Sequence, residues 1–174
     1  MTAQALSVAA WSVLATPVGE LLLTTDGVAL TAVYFDGHRD GSDGRPAAAV
    51  RGSARDDDQP VLATARAQLG EYFARDRRQF DLPLAAAGSA FQRRVWAVLL
   101  EIPYGTTVSY GEVGRRLGLP PGASRAVGLA NGANPISVIV PCHRVVGADG
   151  SLTGYGGGLD RKRHLLDLER DLLF

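Results

Sequence analysis

A disulfide needs two cysteines, and this chain of 174 residues has one, Cys142. That excludes an internal disulfide and any site built from several thiolates. Histidine is scarce too, with only His38, His143 and His164, which leaves too few ligands for a Cys/His zinc site once Cys142 is otherwise engaged. Lysine occurs once, at Lys162; the other seventeen basic residues are arginine, the better side chain for forked phosphate and base contacts. No apolar run is long enough to cross a bilayer. The apolar stretch Ala3–Ala15 lacks a basic leader and runs into Thr16-Pro17-Val18-Gly19, which reads as a turn and not as a cleavage site. These shortages predict a soluble, cytoplasmic protein in a reducing compartment, with no membrane partner, no metal and no cofactor.

For the single thiol, two roles remain, burial or reactivity. Val138-Ile139-Val140 precedes it and reads as a buried strand, and free cysteine is commonly a small packed hydrophobe. His143 and Arg144 follow it directly, and a thiol titrating ordinarily near ~8.5 becomes a nucleophile when cationic or basic neighbours draw off its proton. The tripeptide alone favours the packed thiol. Charge is balanced overall but not locally: residues 1–86 carry eight basic against eleven acidic side chains, and residues 87–174 carry ten against seven. The positive half is the one holding Cys142.

The pattern predicts an α+β chain of two domains, 1–86 and 87–174. In the first, Ser7–Ala15, Glu20–Thr25 and Val28–Phe35 read as strands joined by Pro17-Val18-Gly19 and by Asp26-Gly27. Residues 36–59 are rich in Gly, Asp, Arg, Ala and Pro without apolar period, and read as a loop. Val61, Ala65, Leu69, Tyr72 and Phe73 mark a helix face, and 80–83 a short strand. In the second, Ser89-Ala90-Phe91-Gln92 and Ser109-Tyr110-Gly111-Glu112 have capping-box spacing, the first helix burying Phe91, Val95, Val98 and Leu99. Ser124 is placed to cap a third helix, to about Asn131. Two short helices across a Gly-containing turn form a helix-turn-helix pattern. Val138–Val140 and Val145-Val146 read as strands, the glycines from Gly147 to Gly158 as a loop able to approach a ligand, and Asp160 as the cap of a last helix with Leu165, Leu166 and Leu168 inward.

Five blocks then stand together in the second half: Ile102-Pro103-Tyr104-Gly105-Thr106-Thr107-Val108-Ser109-Tyr110, Ser124-Arg125-Ala126-Val127-Gly128, Asn131-Gly132-Ala133-Asn134-Pro135, Ile139-Val140-Pro141-Cys142-His143-Arg144-Val145, and Gly154-Tyr155-Gly156-Gly157-Gly158. In order and approximate spacing this half resembles the methylated-DNA–protein-cysteine methyltransferases, the O6-alkylguanine-DNA alkyltransferases; the first half resembles them loosely. The resemblance implies a ribonuclease H-like α/β domain followed by a mainly helical, winged-helix-like domain. It implies stoichiometric, irreversible transfer of an alkyl group from O6-alkylguanine, and by extension O4-alkylthymine, to Cys142.

Residue by residue, the resemblance makes His143 the base acting on Cys142 through a water, Glu169 its orienter, Tyr110 the proton donor to the departing guanine, and Asn134 the tie between recognition helix and active-site turn. Arg125 would fill the gap left by the flipped nucleotide. Ala126, Gly128, Ala130 and Gly132 would let the helix lie close in the minor groove, although small residues equally suit packing against another helix. Val145, Val146, Tyr155, Gly156 and Gly157 would line the pocket for the base. The implied partner is double-stranded alkylated DNA with the damaged base flipped out, bound by a monomer; cooperative assembly on DNA is left open. Gly156 stands where some members have serine and Ser137 where some have proline, which bears on substrate range and not on the reaction. Taken singly, His143 and Tyr110 also read as core residues, Glu169 as a solvated helix charge, and Arg125 as a carboxylate partner. Two rival functions remain: a lesion-binding module, against which the presence of Cys142 argues, and a cysteine hydrolase using Cys142, His143 and Glu169, which would turn over repeatedly.

Overall fold

Residues 7–36, 50 and 52–170 are described by the computed structural model of the chain. They fall into two units, one holding residues up to Ala87 together with Pro135–Ser137, the other Gly88–Asn134 and the chain from Val138 onward. His38 and most of the segment 37–51 lie outside the described residues.

The first unit is a sheet covered by one helix. Strands β1 (Ala10–Thr16), β2 (Gly19–Thr25) and β3 (Leu30–Phe35) form an antiparallel meander, in register from Ala10 opposite Thr25 to Thr16 opposite Gly19. Gly19 takes φ +104° in the first tight turn, a conformation that suits glycine. The second connection is held by Asp26, whose carboxylate accepts from the backbone N–H groups of Val28 and Ala29. A fourth strand, β4 (Ala54–Arg55), runs parallel to β1 and gives the order β3-β2-β1-β4. It lies inside the stretch expected to be loop. Both its residues are exposed, so no apolar alternation marks it.

Helix α1 (Pro60–Phe73) opens with proline in its first turn and with the Gln59 side chain accepting from Leu62 N–H. Its buried face is Leu62, Ala65, Leu69 and Tyr72. The expected Val61 and Phe73 sit half-buried at its margin. Leu21, Leu23, Leu30, Val33 and Phe35 from the sheet complete a dry core. Residues 80–83 form no strand of their own; Leu84 makes a lone bridge with Leu30, and Ile136 makes another with Val33.

The second unit is mostly helical: α2 (Ala90–Leu99), α3 (Tyr110–Arg116), α4 (Ser124–Gly132) and α5 (Leu159–Glu169), with a two-residue parallel ribbon of β5 (Val108–Ser109) and β6 (Val145–Val146). Ser89 and Gln92 close both bonds of the predicted capping box. Trp96 takes the buried place expected of Phe91, which is half-buried, and its indole N–H donates to the Ala130 carbonyl at 2.8 Å. Ser109 caps α3, but the Glu112 carboxylate turns to Arg115 and Arg116 instead of back to the cap. At α4 the N-cap is Ala123 and no side chain caps it. Gly158 takes the same place at α5, with Asp160 in the first turn, near the positive end of the helix dipole. Of the three leucines expected inward on α5, only Leu165 is fully buried; Lys162 and Glu169 share its face.

The predicted strand Val138–Val140 is a turn. Ile136 has already taken the bridge to the sheet, and the chain then reverses with Val138 at φ +70°, a conformation that a β-branched residue adopts only under constraint. Among the described residues, no helix is long and apolar enough to cross a membrane. Ser89→Ala, which removes the side-chain acceptor from an intact capping box, should lower stability by about 1 kcal/mol in urea unfolding; an unchanged midpoint would show that α2 does not depend on its cap.

Candidate active site

Cys142, His143 and Arg144 make one turn of 3-10 helix directly before β6. The turn is tight: Cys142 N–H donates to Val140 O at 2.8 Å and Arg144 N–H to Pro141 O at 3.0 Å. Successive side chains on such a turn point in different directions, so the thiol faces one side while its two neighbours reach α5. The β5–β6 register sets Val108 beside Val145 and Ser109 beside Val146. This ribbon brings Tyr110, the first residue of α3, to the neighbourhood of the cysteine turn.

At the far end of α5, the Glu169 carboxylate collects donors from that turn. His143 Nε2 lies 2.7 Å from Oε1. Arg144 donates from Nε to Oε2 and from Nη2 to Oε1, both at 2.9 Å, and from Nη1 to Ile102 O at 2.7 Å. Burial pushes the Glu169 carboxyl up, but the bonds and charges of His143 and Arg144 outweigh it and hold the group at about 2. His143 is fully buried. Burial depresses its imidazole below the ordinary 6.5, Glu169 pulls it back up, and Arg144 and Lys162 push it further down. Its other nitrogen, Nδ1, has no hydrogen-bond partner among the described residues.

Cys142 is 4% exposed. Burial drives the thiol pKa up, and Asn134, the Lys162 charge and Tyr155 draw it only part of the way back. The sequence neighbours expected to act on the thiol are therefore not the ones pulling on it: Arg144 is spent on Glu169. Asn134 Nδ2 donates to Val140 O at 2.9 Å, and Asn131 Nδ2 to Cys142 O at 3.3 Å. Two asparagines, where the sequence indicated one, thus tie α4 and its exit to the cysteine turn.

Lys162 is the largest omission of the sequence reading. Its ammonium is buried, donates to Val145 O at 2.6 Å and Thr153 O at 3.0 Å, and stands 5.9 Å from the Tyr110 ring centroid. Tyr110 donates its own hydroxyl to the same Thr153 carbonyl at 3.1 Å. Two signals could have found it: Lys162 is the single lysine of an arginine-using chain, and it lies three and seven residues before Leu165 and Glu169, on one helix face. No three His, Cys, Asp or Glu side chains converge to hold a metal among the described residues.

A buried cysteine, an imidazole and a carboxylate that holds it, beside a tyrosine and a helix-turn-helix, is the arrangement against which relatives can be compared. Residues 10–86 match the ribonuclease-like domain, and residues 90–171 the DNA-binding domain, of 6-O-methylguanine DNA methyltransferase. A methylated-DNA–protein-cysteine methyltransferase of Methanosarcina acetivorans is 45% identical over 91% of this chain and 97% of its own. That of Mycolicibacterium paratuberculosis is 64% identical over 63% of this chain and 66% of its own length. The crystal structure of Mycobacterium tuberculosis OGT in complex with DNA superposes with TM-score 0.83 at 45% identity, covering 93% of each chain. The chain belongs to the methylated-DNA–protein-cysteine methyltransferase family.

In this methyltransferase the residues expected to meet DNA divide into two sets. Arg125, Ala126 and Gly132 are exposed on α4, and Gly128 is half-buried against the Tyr110 ring, which a side chain at that position would touch at 3.7 Å. Ala130 is buried (3% exposed) under the Trp96 indole, so here the small residue serves packing. The outward place beside it belongs to Leu129, which is 72% exposed and which the sequence reading passed over. Of the expected pocket residues, Val145 and Val146 are buried, and Tyr155, Gly156 and Gly157 are half-buried. Ser137 is fully buried and belongs to the first unit.

Two outcomes follow from these charges. Lys162→Met removes the cation that acts on the thiol, so thiolate absorbance, read against Cys142→Ala, should appear at higher pH than in the unchanged protein; the orphaned Val145 carbonyl should cost roughly 1–3 kcal/mol. Acid should also unfold the protein early. Glu169 is held at about 2 against an ordinary 4.5, and His143 is held below 6.5. Both folded values lie below the unfolded ones, so their contributions are complete above those ordinary values and vanish as pH falls toward the folded ones. Stability measured from pH 7 down to 3 should fall in two steps, and Glu169→Gln should lose the lower one.

Proposed function

We propose that this protein repairs DNA by moving an alkyl group from O6-alkylguanine onto Cys142, once per molecule, and that O4-alkylthymine is a second substrate. The observation that carries the reading is the buried Cys142 turn tied to a Glu169-held His143, on a chain that matches the family over both of its domains. Cys142 Sγ attacks the alkyl carbon in line with the C–O6 bond. A carbon–sulfur bond forms, the carbon–oxygen bond breaks, and its electron pair stays with the guanine.

Two protons move. The thiol proton passes to His143 Nδ1 through a bridging water, while Nε2 stays on Glu169. Burial holds the resting thiol neutral, so the attacking thiolate arises within the closed site and not in solvent. Tyr110 protonates the departing base. Its hydroxyl rests on Thr153 O and turns to the guanine when the base enters. Lys162, near the tyrosine ring and sharing that carbonyl, compensates the charge left behind. A thioether is stable to water, so nothing regenerates the thiol, and protein is consumed mole for mole.

The DNA enters by its minor groove with the damaged nucleotide flipped out of the stack. Arg125, exposed at the start of α4, occupies the gap, and Ala126, Leu129 and Gly132 lie along the groove. Phosphate contacts dominate the affinity, which is therefore salt-dependent and weak in sequence preference. One monomer serves each lesion, in the cytoplasm.

Intact-mass spectrometry after mixing with an O6-methylguanine duplex tests the reading. The expected result is a single gain of one methylene on Cys142, none in Cys142→Ala, and product equal to protein however long the incubation. Product in excess of protein would identify a turning-over hydrolase instead, and lesion binding without mass change would identify a sensor.

A further inference from the structure

Among the described residues Glu169 is the only anion in the buried cluster, and it has two claimants to its charge. A carboxylate beside an imidazole ordinarily draws a proton onto the ring, making an ion pair. Here Arg144 grips the same carboxylate with two prongs, Nε on Oε2 and Nη2 on Oε1, and its third nitrogen is fixed by Ile102 O. Gly105 N–H approaches Oε2 at 3.4 Å, and the Tyr104 ring lies 5.7 Å from the guanidinium carbon. His143 therefore meets a carboxylate that is already neutralised.

We propose that Arg144 is a positioning residue for the transfer: as the counter-ion of Glu169 it leaves His143 neutral, oriented, and able to receive the Cys142 proton. The proposal rests on the alkyl-transfer reading above. The groups facing His143 bear it out in sign. From α5 come the Glu169 carboxylate and the Lys162 cation, and from its own turn Arg144; around the same cluster the Tyr104 ring lies against the Arg144 guanidinium, and Asn131 of α4 donates to the Cys142 carbonyl. The arginines of α2, Arg93 and Arg94, are exposed. With Glu169 balanced by Arg144, the remaining cation is Lys162, and the charge it lacks is the one a Cys142 thiolate provides.

Without Arg144 the buried carboxylate would recruit a proton onto His143, and a protonated ring accepts nothing. In Arg144→Met the acid limb of the methyl-transfer rate should move up by about one pH unit or more. Arg144→Lys, keeping the charge without the fork, should restore the limb to near its original place. Ring-nitrogen NMR of the unchanged protein should find His143 neutral at pH 7 with its proton on Nε2, and if Arg144→Met does not fold, the same spectra of Arg144→Gln should show the ring gaining its proton at higher pH than in the unchanged protein. A cationic His143 at pH 7, or a rate in Arg144→Met that falls equally at every pH, would overturn the proposal. Failure of methyl transfer in the unchanged protein would sink the reaction instead, and the charge on His143 would still be read from its nitrogens.

Discussion

The second unit of this protein is organised around a carboxylate that cannot be left alone. Burying an ionised glutamate without partners costs several kcal/mol, a large share of a domain's stability, so every group that satisfies Glu169 is fixed by doing so. Arg144 and His143 fix the cysteine turn, Ile102 O fixes the arginine, and Gly105 N–H fixes the chain leaving α2. Gly105 itself sits at φ +76° with a would-be Cβ only 3.0 Å from Glu169 O, a place for glycine alone. The last helix is thus latched by one side chain to two segments far away in sequence, the cysteine turn and the chain leaving α2.

A second charge repeats the device nearer the chemistry. Lys162 is buried two turns before Glu169 and binds two carbonyls, one on β6 and one on the loop that Tyr110 also touches. The two groups on one face of α5 therefore hold the two sides of the site: Glu169 holds His143, and Lys162 holds the carbonyl on which Tyr110 rests. Such buried charges are poor contributors to net stability. Their value is in fixing one geometry, since no apolar residue would specify which carbonyl lies where.

Much of the site was legible in sequence because its signals are chemical. A lone cysteine between Pro141 and His143, a tyrosine at a helix start and an asparagine before Pro135 keep their identities wherever the chain carries them. Less was legible where tertiary context sets the outcome. Val138–Val140 is apolar and β-branched, hence the expectation of a strand, but the chain reverses there because Ile136 pairs with Val33 first. Strand β4 was hidden for the opposite reason: parallel pairing to β1 needs backbone and not apolar side chains. Ala130 and Leu129 differ by one position, a turn of about 100° on a helix, and composition alone could not say which faced out.

Lys162 was missed, and Arg144 was read as acting on the thiol and not on Glu169, for a common reason. Charged side chains in a sequence default to the surface, because isolated charges are almost never fully buried. What reverses that default is a partner, and partners from distant segments are invisible in one dimension. Yet the two are coupled through Glu169 and the thiol. If Arg144 neutralises the glutamate, then Lys162 is left with unbalanced charge beside the thiol, and that charge offsets part of the cost of forming a thiolate at Cys142. The burial that keeps the resting thiol protonated and the cation that welcomes its ionised form are then not in conflict. One sets the barrier against stray electrophiles in solvent; the other is realised only when a base such as His143 has somewhere to put the proton. The arrangement suits a protein that can react only once.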